Sequence, residues 1–475
     1  MKHSYDFVAI GGGSAGFNAA RIAASLGKRV AVVDGAKKLG GLCILKGCMP
    51  SKTLLYSAEI LHLARMGKEF GLKIGSSYAD MTAMHQRKNR IIAEFAQDRE
   101  KQLINGKFDL IRGSARFVDP HTIEIGKGRR ISGRHFLIGT GSKVSVPSVP
   151  GLAETEFWTS DDVLELDFNP KSVIVLGGGI VACELSQFLV RVGTRVCLIQ
   201  RSPNLLKGHG PDAAAVVEQA FKDEGIEVHT GTHISGISSD ARGVSVTFRQ
   251  GKKTLRRTGA YLFNALGREP NTSGLGLDAI GVKTEPNGRI LVNRWQQSSV
   301  SHIYAAGDCC GPHEIVHLAV QQGELAARHA ARFRRLRPIN KSLLLSVVFT
   351  DPQIGTIGLC EKELREKGVK FLAASYPFDD HGKSILMGAK YGYVKVFADP
   401  KKGRILGAEI VGKDAGELIH SFSTALAMGA TVCDMLRAPW YHPTLSEILT
   451  YPLEEIAEKL PLRGGQRETI WAFKH

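Results

Sequence analysis

The sequence predicts an α/β fold built on two separate parallel-sheet units, followed by a third region of different character. Three observations carry this. An apolar run, a glycine-rich turn, an alanine-rich helical stretch and a second apolar run follow one another across residues 7–34. An apolar run, a glycine-rich turn, a helical stretch and an apolar run recur in that order across residues 173–199, about a domain's length further on. From about Leu343 the pattern turns to strand-like alternation, as in Tyr393-Val394-Lys395-Val396-Phe397, and then to helices.

A chain of 475 residues has room for two to four domains of ordinary size. Its 43% hydrophobic and 23% charged residues exclude a disordered or fibrous class. No run of eighteen apolar residues occurs, so no membrane-spanning helix is expected. Met1 to Ser4 lead straight into the first apolar run, without the layout of a signal peptide, and a cytoplasmic protein is expected. In that compartment the eight cysteines (43, 48, 183, 197, 309, 310, 360 and 433) do not form a disulfide framework, and most read as small buried hydrophobes. The net charge of +16 would steer an acidic partner or an anionic small substrate. Its densest cluster, Arg332-Phe333-Arg334-Arg335-Leu336-Arg337, lies in no nucleic-acid motif and reads as a solvated helix end and loop.

In the first unit, the strand Phe7-Val8-Ala9-Ile10 runs into Gly11-Gly12-Gly13-Ser14-Ala15-Gly16, then a helix, then the strand Val30-Ala31-Val32-Val33-Asp34. Gly11, Gly13 and Gly16 let the backbone approach a pyrophosphate seated on the helix N-terminus. Asp34 can accept from a ribose hydroxyl at the end of the second strand. This is a Rossmann-like dinucleotide site. The second unit has Gly177, Gly179 and Ala182 in the corresponding turn, a helix to Val192 and the strand Val196-Cys197-Leu198-Ile199. Two dinucleotide sites in one chain point to electron transfer between two cofactors. Where an acidic residue would select NAD, the second unit has Gln200, with Arg201 next and Lys207 further on. An Arg accommodates a 2′-phosphate, which leans the site towards NADP. The other reading has Gln200 on an NAD ribose and the two cations as surface charges.

Between the units lies Gly40-Gly41-Leu42-Cys43-Ile44-Leu45-Lys46-Gly47-Cys48-Met49-Pro50-Ser51-Lys52. Five residues of regular helix separate two cysteines by about 7.5 Å along the axis. A disulfide wants Cα atoms about 4.4–6.8 Å apart. A bridge therefore needs a helix start or a distorted turn, which Gly47 and Pro50 permit. A helix N-terminus would also favour the thiolate. On spacing alone, a redox pair and an inert pair both stand. Zinc is disfavoured, since no second Cys or His pair lies close by, and no metal is expected.

This segment resembles the active-site stretch of the flavin-linked pyridine-nucleotide disulfide oxidoreductases, the family of dihydrolipoamide dehydrogenase, glutathione reductase and mercuric reductase. The resemblance runs in order along nearly the whole chain. Gly139-Thr140-Gly141-Ser142 is similar to the family's crossover into the nucleotide domain, and Leu266-Gly267-Arg268-Glu269-Pro270-Asn271 to the return from it. Ile303-Tyr304-Ala305-Ala306-Gly307-Asp308 resembles the second flavin motif, Phe349-Thr350-Asp351-Pro352-Gln353 the start of the dimerisation domain, and His442-Pro443-Thr444-Leu445-Ser446-Glu447 the catalytic His–Glu segment.

The resemblance implies FAD in the first unit, held also by Gly41, Lys52, Thr140, Gly141 and Asp308, the last on the ribityl chain. It implies NADP or NAD in the second, bounded by Gly267. Cys43 and Cys48 would be the redox pair, with Cys48 nearer the flavin and Cys43 meeting the substrate. Lys52 and Glu184 would pair beside the reactive flavin nitrogen. His442 and Glu447 would serve the active site of the other subunit of a homodimer. The order of motifs gives a discontinuous FAD domain at 1–150 and 272–340, an NAD(P) domain at 151–271 and an interface domain at 341–475. The expected substrate is a dihydrolipoyl-type dithiol or disulfide, free or on a lipoyl carrier. The alternatives are a glutathione-type or mercuric-type reductase and, in another class, a flavin-bearing redox sensor or complex subunit.

Several places depart from the pattern. Ile180 stands where several relatives carry a Tyr over the nicotinamide pocket, and Leu42 and Leu45-Lys46 alter the surroundings of the cysteines. Cys309-Cys310 read first as packing, with metal binding or a redox relay as the other reading. No cysteine follows Glu447, so the C-terminal relay of mercuric reductase is not expected. Thr444-x-x-Glu447 is also a capping box, able to start a helix without catalysis. Residues 77–102 read as one long helix antiparallel to another from near Ser51, and strands are expected around Ile111, Ala115–Val118 and Ile123. The tail after about Leu460 has no assigned role.

Overall fold

The structure, a computed structural model, describes residues 3–461. The first unit runs β1 (Tyr5–Ile10), α1 (Ser14–Ser25), β2 (Val30–Asp34), α2 (Gly41–Lys46), α3 (Cys48–Arg65), α4 (Met81–Ile104), β3 (Asp109–Arg112), β4 (Ala115–Asp119), β5 (Thr122–Ile125) and β6 (Arg129–Ile138). Strands β3-β2-β1-β6 are parallel neighbours. Being covered on both sides, β2 is buried at all five positions. The N-terminal half of β6 turns outward to pair with β5, which pairs in turn with β4.

The long helix begins at Met81, not Ser77. The Asp80 side chain accepts the amide of Ala83 (2.9 Å) and sets the start there. Upstream, the Ser77 carbonyl is taken by Arg65 Nε of α3 (3.3 Å), which holds that stretch extended.

After β7 (Ser142–Val144) the chain enters the second unit: α5 (Ser160–Val163), β8 (Ser172–Leu176), α6 (Ile180–Arg191), β9 (Arg195–Ile199), α7 (Pro211–Asp223), β10 (Glu227–His229), β11 (Thr232–Asp240), β12 (Gly243–Gln250), β13 (Lys253–Gly259) and β14 (Tyr261–Asn264). Strands β10-β9-β8-β14 form a parallel sheet and β11-β12-β13 an antiparallel one. The chain leaves through β15 (Arg268–Pro270), which pairs antiparallel with β7, so entry and exit form one two-stranded strap.

β16 (Ile303–Ala305) then returns to the first sheet beside β6. α8 (Val316–Ala330) packs against α1, where Gly323 meets the Ala15 carbonyl with no room for a side chain. The final region is a five-stranded antiparallel sheet, β17 (Leu345–Val348), β18 (Gln353–Gly358), β21 (Ile405–Gly412), β20 (Tyr393–Ala398) and β19 (Leu372–Pro377) in spatial order. Helices α9 (Glu361–Glu366), α10 (Gly382–Leu386), α11 (Ala415–Met428), α12 (Val432–Leu436) and α13 (Thr450–Glu458) complete it. α11 lies on β18 and β21, α13 on β19 and β20, and Phe378, Ile419, Phe422, Leu449 and Ile456 fill the space between. Among the described residues no helix is long and apolar enough to cross a membrane. Arg332–Arg337 follows α8 in irregular backbone, with Arg332 and Arg335 at positive φ. The tail beyond Leu460, including Trp471 and His475, falls almost wholly outside the described residues.

Candidate active site

The cysteine segment breaks its helix where a bridge requires it. α2 carries Cys43 and ends at Lys46; Gly47 (φ −130°, ψ −117°) redirects the chain, and Cys48 is the first residue of α3. A Cβ on Gly47 would sit 3.0 Å from the Leu42 carbonyl oxygen and 3.2 Å from Cys43 Cα, so the glycine permits the close turn. Both cysteines are half-buried thiols. The hydrogen bond from Cys43 pulls the Cys48 thiol down to about 7, helped by the Lys52 charge, and burial opposes this. The same bond, with burial, pushes Cys43 up. The proton of the pair therefore sits on Cys43 and the negative charge on Cys48.

One turn along α3, Lys52 Nζ meets Glu184 Oε2 of α6 at 2.7 Å. This joins the two units at residues 132 positions apart. Glu184 is only 3% exposed, and its other oxygen accepts the backbone amide of Phe349 at 2.9 Å. The Phe349 ring lies 4.6 Å from Lys52 Nζ. Phe349 was noted in sequence only as the start of the last region; its part in holding this pair came from the fold. A buried carboxylate with both oxygens engaged is held in place, and it fixes the cation beside Cys48.

The C-terminal ends of β1, β6 and β16 converge on the first glycine turn. Gly11 accepts no side chain, because a Cβ there would strike the Gly139 carbonyl; one on Gly16 would strike that of Gly11. Gly13 caps α1, and Gly41 (φ +75°) lies against it, with the position of its missing Cβ 2.8 Å from Gly13 Cα. Asp34 accepts the amides of Gly12 and Ala36, each at 2.7 Å, and pairs with Arg112. Asp308 accepts from Ser142 Oγ at 2.7 Å, close to Gly141. Thr140 Oγ1 is buried without a hydrogen-bond partner. A glycine cradle, a carboxylate at each end and an orphaned hydroxyl fit a flavin dinucleotide. Cys309 and Cys310, next to this cradle, are buried, and their thiols find carbonyl acceptors at Ile138 and Gly307, each at 3.2 Å.

The second cradle repeats the design with Gly177 (φ +110°), Gly179 at the helix start and buried Ala182. Gln200 follows β9 directly and lies beneath Gly178; Gly267 (φ +118°) stands in open space in the chain's return. Arg201 and Lys207 are exposed and, among the described residues, form no ion pair. Ile180, at the first turn of α6, is 40% exposed.

His442 and Glu447 meet: Nδ1 is 2.9 Å from each carboxylate oxygen. The capping box does not form. Thr444 precedes the 3-10 turn Leu445–Leu449 without a side-chain cap, because the Glu447 carboxylate is spent on His442. His442 is largely exposed and makes no hydrogen bond to either cysteine. Behind Glu447 lies His381, 1% exposed, its Nε2 without a hydrogen-bond partner and 4.0 Å from Glu447 Oε2. Nothing in the sequence had marked it.

Cys197, Glu227 and His229 form the one His/Cys/acid group with converging donor atoms among the described residues, all within 4.8 Å. Glu227 already binds Arg257 Nε at 2.6 Å, so a cation stands where a metal would have to.

The sequence pattern of the pyridine nucleotide-disulphide oxidoreductases matches residues 5–323, and that of their dimerisation domain matches residues 344–452. A dihydrolipoyl dehydrogenase of Thermus scotoductus is 35% identical over 460 residues, covering 96% of this chain and 97% of that protein. A mercuric reductase of Lysinibacillus sphaericus is 34% identical over 453 residues, covering 94% and 81%. Among solved structures, LpdA of Mycobacterium tuberculosis superposes with a TM-score of 0.86 at 26% identity, over 95% of this chain and 99% of that one. The fold is shared too with RclA, an HOCl-induced flavoprotein disulfide reductase of Escherichia coli (TM-score 0.83, 24% identity, 94% and 99% covered). With both cradles, the cysteine turn and the C-terminal sheet inside these matches, the chain belongs to the pyridine nucleotide-disulphide oxidoreductase family, flavoprotein enzymes that use FAD and a nicotinamide nucleotide and carry a dimerisation domain.

Proposed function

We propose that this enzyme exchanges electrons between NADPH and a dithiol/disulfide substrate through FAD and the Cys43–Cys48 pair, with dihydrolipoyl-type substrates first. The observation that carries it is the cysteine turn, with a proton on Cys43, a thiolate on Cys48 and the fixed Lys52–Glu184 pair beside them. Bound in the first cradle, FAD would supply two-electron transfer between the nicotinamide and the Cys43–Cys48 disulfide. The reduced pair then acts on substrate. Cys43, deprotonated by His442 of the partner subunit, attacks one sulfur of the substrate disulfide, and the departing thiolate takes that proton back. The Cys48 thiolate attacks Cys43 Sγ, restores the disulfide and releases the second substrate sulfur as a thiolate, which takes a proton from solvent. The reverse sequence oxidises a dithiol.

Anaerobic titration with NADPH, and separately with NADH, tests the relay. Uptake of two electron pairs with two new thiols is expected; one pair with no new thiols refutes it. The long-wavelength absorbance of the reduced enzyme should follow the Cys48 thiolate. A lowered thiol is charged above its pKa, so the band persists at pH 8 and fades as pH falls through about 7.

A second substrate reading, an NADPH-driven reductase of small anionic disulfides, is favoured by the unpaired Arg201 and Lys207 beside Gln200. Arg201→Ala should raise KM for NADPH by about ten-fold while shifting KM for NADH far less, as loss of a charge-assisted phosphate contact requires. Equal shifts for both nucleotides would remove the support for NADPH. Lipoamide, lipoyl protein and glutathione disulfide, assayed as competing substrates, separate the two readings. Inactivity on every lipoyl species would exclude the first.

A further inference from the structure

Beside Cys43 stands a cation with no counter-ion. Arg99 lies in the last turns of α4. Its Nε donates to Gln102 Oε1 at 3.2 Å, and its guanidinium carbon is 4.2 Å from the centre of the Phe17 ring. Its Nη1 is buried and has no hydrogen-bond partner. Among the described residues Arg99 forms no ion pair, although Asp98 and Glu100 flank it in sequence.

Three elements converge on this side chain. Phe17 stands in the first turns of α1, just after the glycine turn. Leu103, one helical turn beyond Arg99, packs against Gly12 of that turn. α2 begins at Gly41, in contact with Gly13, and packs against α4. Cys43 lies two residues further along α2. Burial weakens the guanidinium's hold on its proton, and an ionised Cys43 would act against that loss, so the two side chains are within electrostatic reach.

We propose that Arg99 is an anion-recognition element at the substrate side of Cys43, taking a carboxylate carried by the disulfide as its sulfur approaches the thiol. A buried guanidinium N–H is unfavourable until a partner arrives, and the planar Arg fork suits a carboxylate. Phe17 holds the group in place by stacking on its face, and Nη1 is left without a partner. Carboxylate-bearing disulfides, free lipoate or an acidic peptide disulfide, would then be preferred over neutral lipoamide. The inference rests on Cys43 being the thiol that meets the substrate.

The test is alkylation of Cys43 in the reduced, FAD-loaded enzyme by iodoacetate and iodoacetamide in parallel, each displacing iodide and followed by mass spectrometry of the Cys43 peptide. The reagents match in size and differ in charge. The wild-type rate ratio of iodoacetate to iodoacetamide should exceed that of a free thiol such as glutathione. Arg99→Gln should lower it about three- to ten-fold, as expected for one charge at partly screened range, and Arg99→Lys should restore most of it. The preference for lipoate over lipoamide should fall in parallel. An unchanged ratio in Arg99→Gln overturns the proposal. So does Arg99→Gln protein that folds but loses its flavin, which would give the free nitrogen to the cofactor's phosphates. Alkylation does not depend on turnover, so failure of the flavin–disulfide relay would show in the titration and not here.

Discussion

Cys43→Ser should abolish turnover of every disulfide substrate, by about a thousand-fold or more, while NAD(P)H still reduces the bound cofactor at close to the wild-type rate. The asymmetry follows from where the proton sits. Cys48 is pulled down to about 7 chiefly by the hydrogen bond it accepts from Cys43. A serine hydroxyl can donate the same bond, so Cys48 should remain a thiolate beside Lys52, and the variant should show its long-wavelength absorbance without any reductant. Serine cannot exchange with a disulfide, so the second half of the cycle stops. Stopped-flow absorbance reads the first half and steady-state thiol release the second. Loss of both halves would mean that Cys43 does not act only at the substrate step. Cys48→Ser is the informative control. It removes the charged partner, so the absorbance should vanish and burial alone should decide the state of Cys43.

The parts of the fold legible in the sequence are those set by short-range backbone demands. Both glycine turns could be read because each needs glycine or another small residue at set places within six positions, at Gly11–Gly16 and Gly177–Ala182, and the apolar strands beside them are buried on both faces. The break between Cys43 and Cys48 could be read because a regular helix would hold them too far apart. What could not be read depends on side chains choosing among partners far apart in sequence. Thr444 and Glu447 have capping-box spacing, yet Glu447 binds His442 instead, since a nearby imidazole offers a stronger partner than a backbone amide. The start of α4 slipped from Ser77 to Met81 because Asp80 was available as a cap and the Ser77 carbonyl was claimed by Arg65. Phe349, His381 and Arg99 carry no local signal. Their places in the site come from tertiary packing, and only the unmatched polar atoms of His381 and Arg99 mark them afterwards.

Replacing His442 by Gln should lower disulfide turnover by about a hundred- to ten-thousand-fold, the usual range for loss of a general acid–base group, and leave nicotinamide oxidation unaffected. Glu447→Gln should cost less. The carboxylate's two contacts at 2.9 Å to Nδ1 hold the ring so that Nε2 faces outward, and an amide can keep one of them. Burial holds His381 below the ordinary imidazole value, so it is neutral at pH 7 and does not compete with His442 for Glu447. Its Nδ1 lies 2.8 Å from Ser384 Oγ, and its Nε2 lies 4.0 Å from the Glu447 carboxylate. The exposure of His442 in the single chain raises the question of whose cysteines it serves, and mixed dimers answer it. Cys43→Ser and His442→Gln protomers are each inactive as homodimers. If His442 acts across the interface, a dimer of one of each has one site with both defects and one with neither. Equal mixing and reassembly should then restore about a quarter of wild-type activity, since about half the dimers are mixed and each holds one intact site. If His442 served its own chain, both sites of the mixed dimer would be damaged and nothing would be restored. Recovery near a quarter therefore places the proton donor and the thiol on different subunits, and its absence returns His442 to its own chain.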